Sequence, residues 1–305
     1  MEALVVAVRY LIAIGIGYML KVLKILSPGD TKPLGSIILG LTLPAVIIST
    51  FSASVYDSWM LAALACGVVY TGSLTLVTYL MTRRMEPKRR ALFLLHCSGL
   101  NSGNIAIPYL SSALPGALVY AGMFATGDSF FALGGNYAAA CIVMKKESSS
   151  RIRTVLNAFR SSPPLFAYVG MALCLLLGIR LPKPFISFCG FIGEANTVLC
   201  MLFIGLSLNF SKGAVSLKDV GIILGFRMLS ACVLAALTLV IFRSAPVMLR
   251  QAIAICVFSA IPNIELIFTQ KLELDTATAG LCNTLSCILA IPMLSLAQIV
   301  TTALT

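Results

Sequence analysis

Two short polar stretches interrupt apolar segments of this sequence where a membrane-spanning helix would need to be continuous. The first extends from Cys97 to Pro108 and reads CSGLNSGNIAIP, with two glycines, two asparagines, two serines and a proline. The second extends from Ser259 to Glu265 and reads SAIPNIE. Irregular backbone at bilayer depth is tolerated only where it is buried in protein or lines a wet cavity. Two broken spans in corresponding places of two halves indicate the binding site of a transporter.

The first stretch supplies candidate substrate-binding residues. Amide side chains can complete the hydrogen bonds of an unwound helix and can also bind a carboxylate. The half-helix after the break, expected to begin near Ile105, presents partial positive charge to an anion. The alternative is that the asparagines only join neighbouring helices. The candidates for substrate binding in this stretch are Asn101, Ser102, Asn104 and Pro108.

The second stretch supplies candidates of the same kind. Pro262 removes a donor and frees a carbonyl, and Asn263 is predicted to cap the half-helix that follows. Glu265 is costly at membrane depth unless it is paired, protonated or bound to a cation, and we interpret it as a coupling residue. Its alternative role is to pair with a cation such as Arg227. Arg227 could instead hold the substrate carboxylate, so it joins the candidates for substrate binding.

Three further polar side chains fall within apolar segments. Asp128 lies in the middle of a predicted span and is a second candidate for carrying a proton or sodium ion. Glu194 is interpreted as a partner of Arg227 on a neighbouring helix. His96 directly precedes the first break, and we favour a satisfied interior histidine over a proton relay.

Composition makes the membrane the solvent of this chain. Of its 305 residues, 59% are hydrophobic and 11% charged, with a mean hydropathy of +0.99. A soluble domain carries about 25% charged residues. The net charge of +11 does not indicate a nucleic-acid partner, because the basic residues cluster in short loops. Spanning helices need about 20 apolar residues. That rule predicts spans near 4–23, 33–53, 59–82, 89–110, 115–144, 163–180, 185–210, 219–242, 247–270 and 276–301.

The spans divide the chain into two sets of five. We expect a first five-helix repeat over 1–144, a basic linker over 145–162 and a second, inverted repeat over 163–305. Of the 22 basic residues, 16 fall in alternate loops on one side, and this side should be cytoplasmic. Both termini are then extracytoplasmic.

Enzyme chemistry is not supported by the sequence. The only histidine, His96, lies in the same span as Ser102 and is badly placed to activate it. No HExxH or CxxC motif occurs, and we interpret the ten cysteines as small packing residues. We therefore predict no cofactor and no metal site.

The order of several motifs resembles the auxin efflux carrier family, which is related to the bile-acid/sodium symporters. Segments similar to that family are Leu43-Pro44-Ala45, Asn101 to Pro108, Ser162 to Leu165, Gly205 to Leu208, Ala260 to Pro262 and Asn283 to Ser286. The resemblance implies an all-α protein of ten helices in an inverted five-plus-five repeat, whose fourth and ninth helices unwind and cross. It also implies organic anions as substrates and a possible homodimer. The chain lacks a large hydrophilic central loop, so it resembles compact bacterial-type members.

The sequence as a whole predicts a secondary active transporter of a small organic anion in the cell membrane. Its partners are the lipid bilayer and a coupling ion, H+ or Na+, with the proton favoured. One alternative is a sodium-coupled symporter of the bile-acid type. The other is a passive channel or a transporter-like sensor.

Overall fold

The computed structural model describes residues 2–54, 57–145, 163–208 and 215–304, and these are helical with no strand among them. Within these described residues ten helical segments follow one another, of which the fourth and ninth are each broken into two half-helices. The helices are α1 Glu2–Val22, α2 Thr31–Ser52, α3 Trp59–Met81, α4a Pro87–Ser98, α4b Ile107–Ala113, α5 Pro115–Val143, α6 Pro163–Leu176, α7 Lys183–Ser207, α8 Leu217–Ile241, α9a Val247–Cys256, α9b Ile264–Lys271 and α10 Thr276–Leu304. The predicted all-α, polytopic architecture is confirmed, and most of the predicted linker lies outside the described residues.

Six of these helices are long and apolar enough to cross a membrane: α2, α3, α5, α7, α8 and α10. Their outer faces carry large exposed apolar side chains, such as Phe191 at 74% and Val240 at 73% exposure. Such a surface suits lipid and would be unfavourable in water. At about 1.5 Å per residue, neither half of α4 or α9 spans the ~30 Å hydrocarbon layer alone. Each broken pair must therefore act as one span.

The break in α4 follows from its residues. The helix ends at Ser98, and Gly99 adopts an extended conformation with φ −68° and ψ 145°. The chain turns helical again through a π turn at Ser102–Ala106, and α4b begins at Ile107, two residues later than the start expected near Ile105. Pro108 stands at the second position of α4b, which directly follows this π turn.

The break in α9 extends from Val257 to Asn263 and contains Pro262. Asn263 takes helical angles, φ −62° and ψ −23°, and its side chain makes no capping hydrogen bond. The predicted capping role of Asn263 is therefore wrong. An N-cap that bonds through its side chain sits in extended backbone, and this backbone is already helical at Asn263.

Two glycine pairs bring helix backbones into direct contact. At Gly127 of α5 a Cβ atom would lie 2.1 Å from the carbonyl oxygen of Leu64 in α3, and Gly67 of α3 meets α5 in the same way. At Gly205 of α7 a Cβ atom would lie 2.0 Å from the carbonyl oxygen of Ile14 in α1. Only glycine permits this approach, which is the usual use of small residues between membrane helices.

Candidate functional site

The two breaks meet in the interior of the protein. The main-chain N–H of Asn101 donates a hydrogen bond of 2.9 Å to the carbonyl oxygen of Ala260. Gly99 makes the close approach possible, because a Cβ atom there would lie 3.0 Å from Glu265 Oε1 and 3.1 Å from Pro262 Cγ. The four half-helices therefore end or begin around one buried point, which we call the crossover.

Arg227 of α8 binds main-chain carbonyls at the crossover. Its Nη1 donates 2.7 Å to the carbonyl of Gly99 and 3.3 Å to that of His96, and its Nη2 donates 2.8 Å to the carbonyl of Ser259. These oxygens lie at or just beyond the C-terminal ends of α4a and α9a, where helix dipoles leave partial negative charge. Arg227 is 5% exposed, so its guanidinium forms a buried cationic link between the two broken helices.

The pairing predicted between Arg227 and Glu194 is wrong. Glu194 is exposed on the outer face of α7, whereas Arg227 is buried against the carbonyls of the crossover. Nor does Glu265 form an ion pair with Arg227 within 4 Å. In the part of the chain that the structure describes, the single ion pair at that distance joins Arg89 and Asp219 near the start of α4a and α8.

Asp128 of α5 faces the first break and is 2% exposed. Its Oδ1 accepts a hydrogen bond of 3.0 Å from Thr71 Oγ1 on α3. Leu100 and Ser102 of the first break lie near this carboxyl group, and Ser102 Oγ is buried without a hydrogen-bond partner. Asp128 thus accepts a hydrogen bond from a neighbouring helix and lies beside the unwound segment.

Glu265 of α9b is fully buried and belongs to a second polar cluster. Its Oε1 accepts a hydrogen bond of 3.0 Å from Asn136 Nδ2, while its Oε2 has no partner. Asn136 Oδ1 lies 2.8 Å from Thr75 Oγ1 on α3 and 3.0 Å from Ser98 Oγ at the end of α4a. The cluster therefore connects α3, α4a, α5 and α9b.

Helix α10 supports the second break. Asn283 Nδ2 donates 3.1 Å to the carbonyl of Ile261, and the Ile261 N–H donates 3.1 Å to Ser286 Oγ. The arrangement matches that at the first break, where the N–H of Leu100 faces Asp128 of α5. In each case, main-chain groups of the unwound segment lie against polar side chains of the helix that follows it.

Several buried polar atoms around the crossover have no protein partner. They are Asn101 Nδ2, Asn104 Oδ1, Asn263 Oδ1, Ser259 Oγ and His96 Nε2. Buried polar atoms are rarely left unpaired, so each calls for an explanation such as a water or ligand. A narrow cavity lined by Leu100, Arg227 and Ser259 has room for about one water molecule. This cavity at the crossover is too small for an organic molecule.

The structure brings most of the predicted site residues together. Asn101, Ser102, Asp128, Arg227, Pro262 and Glu265 all lie buried at the crossover or against it. The side chains of Asn104 and Asn263 are half-buried. Pro108 is buried in α4b, where its carbonyl accepts a hydrogen bond of 2.6 Å from the Tyr10 hydroxyl. His96 Nδ1 lies 3.0 Å from the Leu92 carbonyl.

Sequence reasoning missed Thr71, Thr75 and Asn136 of the site, and it named Asn283 and Ser286 only as part of a segment similar to the family. Asn136 directly follows a π turn at Phe131–Gly135, and such turns are frequent at functional sites. The adjacent glycines Gly134 and Gly135 were the available signal in the sequence.

Two comparisons with known proteins agree with this architecture. Residues 3–125 match the model of a family described as membrane transport protein. The chain is also similar to an uncharacterized transporter of Methanothermobacter thermautotrophicus, with 25% identity over 235 residues, which cover 74% of each chain. The family match includes the first broken helix. The chain is thus a polytopic membrane protein whose residues 3–125 are similar to the membrane transport protein family, and these similarities indicate a membrane transporter.

Proposed function

We propose that the protein is a secondary active transporter that binds a small organic anion at the crossover and couples its movement to protons. The observation that carries the proposal is the meeting of the two breaks, with Asn101 bonded to Ala260 and Arg227 bound to Gly99 and Ser259. Broken helices that cross beside a buried cation are a means of holding an anion at membrane depth.

In this proposal the asparagine amides and the N-terminal ends of the half-helices bind the anion. Asn101 has an unpartnered Nδ2 that can donate to a carboxylate. Asn104 and Asn263 each have an unpartnered oxygen beside a helical start, and rotation of the amide would present its NH2 group instead. Partial positive charge at the start of α9b and of the helical segment after Asn101 adds to the attraction.

Charge balance supports coupling to a proton. Arg227 is a single cation facing two acids, Asp128 and Glu265. With both acids ionised the cluster has a net charge of −1, and an anion would raise this to −2. Two unit charges ~4 Å apart at an effective dielectric of ~20 interact by about 4 kcal/mol. Protonation of one acid removes this penalty, so anion and proton bind together.

The proposed cycle rests on an inverted repeat. Residues 1–144 form the first repeat, 145–162 a cytoplasmic linker and 163–305 the second repeat. Leu100 lies near Asp128 of α5, and Ile261 bonds Ser286 of α10. This equivalence of the two breaks supports the division. Alternating access then exposes the crossover to one side of the membrane and then to the other. The basic loops remain cytoplasmic and both termini extracytoplasmic.

Counterflow in liposomes tests the proposal. The purified protein is reconstituted with a trapped unlabelled carboxylate, and accumulation of the same labelled carboxylate is followed over a panel of mono- and dicarboxylates. Saturable counterflow is the expected result, and a flux that never saturates would identify a channel. Gradients of pH and sodium are then imposed separately. A flux driven by sodium alone would favour the bile-acid type of symporter.

A further inference from the structure

The cluster around Glu265 contains more hydrogen-bond acceptors than protons to fill them. The Thr75 hydroxyl lies 2.8 Å from Asn136 Oδ1 and 2.9 Å from the carbonyl of Thr71 in its own helix. The Ser98 hydroxyl lies 3.0 Å from Asn136 Oδ1 and 3.0 Å from the carbonyl of Leu94. Each hydroxyl has one proton and can donate to only one of its two acceptors at a time.

The amide of Asn136 therefore has two complete arrangements. In the first, both hydroxyls donate to Oδ1, and Nδ2 donates to Glu265 Oε1, which suits an ionised carboxylate. In the second, the hydroxyls turn to their helix carbonyls and the amide is flipped. The NH2 group then donates to the hydroxyl oxygens, and the amide oxygen accepts a proton from Glu265. Every polar atom of the amide is satisfied in both arrangements.

We propose that Asn136 is a positioning residue that matches its amide to the protonation state of Glu265, with Thr75 and Ser98 as its switchable donors. The inference deepens the proposed proton coupling and rests on it. Through Asn136, protonation of Glu265 would change the hydrogen bonding of Ser98, which is the last residue of α4a before the break. Proton binding on α9b is thereby linked to the hydrogen bonds of the other broken helix.

The cluster is suited to this role because water does not reach it. Asn136, Ser98 and Glu265 are fully buried, and Thr75 is 7% exposed. The charged groups that face Glu265 are Asp128 on α5 and Arg227 on α8. Other titratable side chains on packed or neighbouring elements are His96 and Cys97 on α4a, Tyr137 on α5, Lys271 on α9b, and Cys282 and Cys287 on α10. The hydrogen bond that Glu265 Oε1 accepts comes from the amide of Asn136.

Infrared titration of the purified protein tests the inference without any substrate. A protonated carboxyl group has its own C=O stretching band, which is assigned to Glu265 by its loss in Glu265→Gln and its retention in Asp128→Asn. In Asn136→Leu the carboxylate loses its donor. The band should then persist to a pH about one to two units higher than in the wild type. The double variant Thr75→Val/Ser98→Ala should shift in the same direction, which provides a second test if Asn136→Leu does not fold.

Two control variants distinguish a positioning role of Asn136 from a nonspecific disruption of the protein. Thr75→Ser keeps the hydroxyl and should titrate as the wild type does. Asn196→Leu removes another buried amide, whose Oδ1 accepts a hydrogen bond of 2.8 Å from Thr42 Oγ1 and has no bond to the Glu265 cluster, and it should also leave the band unchanged. A wild-type titration in both Asn136→Leu and the double variant would overturn the inference. Absence of anion counterflow with a shifted band would instead overturn the proposed function alone.

Discussion

Arg227 and Gly99 are joined by a hydrogen bond of 2.7 Å between a buried guanidinium and a main-chain carbonyl. The same guanidinium reaches the carbonyl of Ser259 in the other broken helix. A positive charge that links two unwound segments supports the architecture of the site. Its loss should therefore affect folding as well as transport.

Arg227→Met should lower the free energy of unfolding by about 3–5 kcal/mol, because it leaves carbonyls unpaired and two buried acids without their cation. Thermal unfolding in detergent measures the effect. Arg180→Met, at an exposed loop arginine, is the matched control and should unfold as the wild type does. A stable Arg227→Met protein that has lost anion binding would instead make Arg227 a direct ligand of the substrate.

Asn104→Ala and Asn263→Ala should each weaken substrate binding by about 10-fold or more with little loss of stability. Each removes an amide whose oxygen has no protein partner, and a hydrogen bond to a charged ligand contributes about 1.5–3 kcal/mol. Calorimetry with the carboxylate found by counterflow gives the affinities. Asn196→Ala should show the reverse pattern, lower stability with unchanged affinity, since that amide bonds Thr42. Wild-type affinity in both site variants would place the substrate elsewhere.

Glu265→Gln should retain binding and lose the pH dependence of flux. Glutamine resembles the protonated acid, so the anion no longer needs a proton to enter. In the wild type, binding should be strongest at low pH and weaken as the pH rises and Glu265 ionises. Flux into liposomes is measured with pH and sodium gradients applied one at a time. A sodium-driven flux whose pH profile survives the substitution would contradict coupling through Glu265.

Gly127→Ala should destabilise the protein by roughly 1–3 kcal/mol or more, because a Cβ atom would be forced to 2.1 Å from the Leu64 carbonyl. Gly225→Ala is the matched control, since a Cβ atom on that helix meets nothing within 4 Å. The control should be neutral or slightly stabilising. The unfolding midpoints of the two variants test this prediction. Equal midpoints would mean that α3 and α5 are not in contact in the membrane.

The linker between the two repeats should be cytoplasmic and both termini extracytoplasmic, as the distribution of basic residues requires. Epitope tags at positions 150 and 305 in intact cells give the orientation. The tag at 305 should react with an external reagent and the tag at 150 only after permeabilisation. External access to position 150 would reverse the orientation of the whole chain.

The spans and both breaks could be predicted from the sequence because each has a local cause. Apolar length sets a span, and glycine, asparagine and proline at bilayer depth set a break, as at Gly99 and Pro262. The side-chain network could not be predicted in this way. Asn136 is one polar residue in an apolar segment, and its partners Thr75, Ser98 and Glu265 are distant in the sequence.

The error at Glu194 has the same physical origin. Helix α7 is apolar on most of its surface, so hydropathy does not tell which side faces protein. Asn196 is buried and bonded to Thr42, whereas Glu194, two residues earlier and nearly opposite on the helix, is exposed. An evenly apolar helix does not show in its sequence which face is turned toward the protein. The packing of α7 against α1 and α2 determines that face.

The glycine contacts described above divide the helices into parts with different freedom to move. Where backbones touch, as at Gly67 with Gly127 and at Gly17 with Gly205, no side chain can change its rotamer to let one helix pass the other. Between these pairs the contacts run through side chains, including Phe51 and Tyr168 against Gly122 of α5. Packed helices slide where side chains can shift. We therefore predict that the shear surface of a transport cycle passes between α5 and the rings of Phe51 and Tyr168, and that α3 moves together with α5.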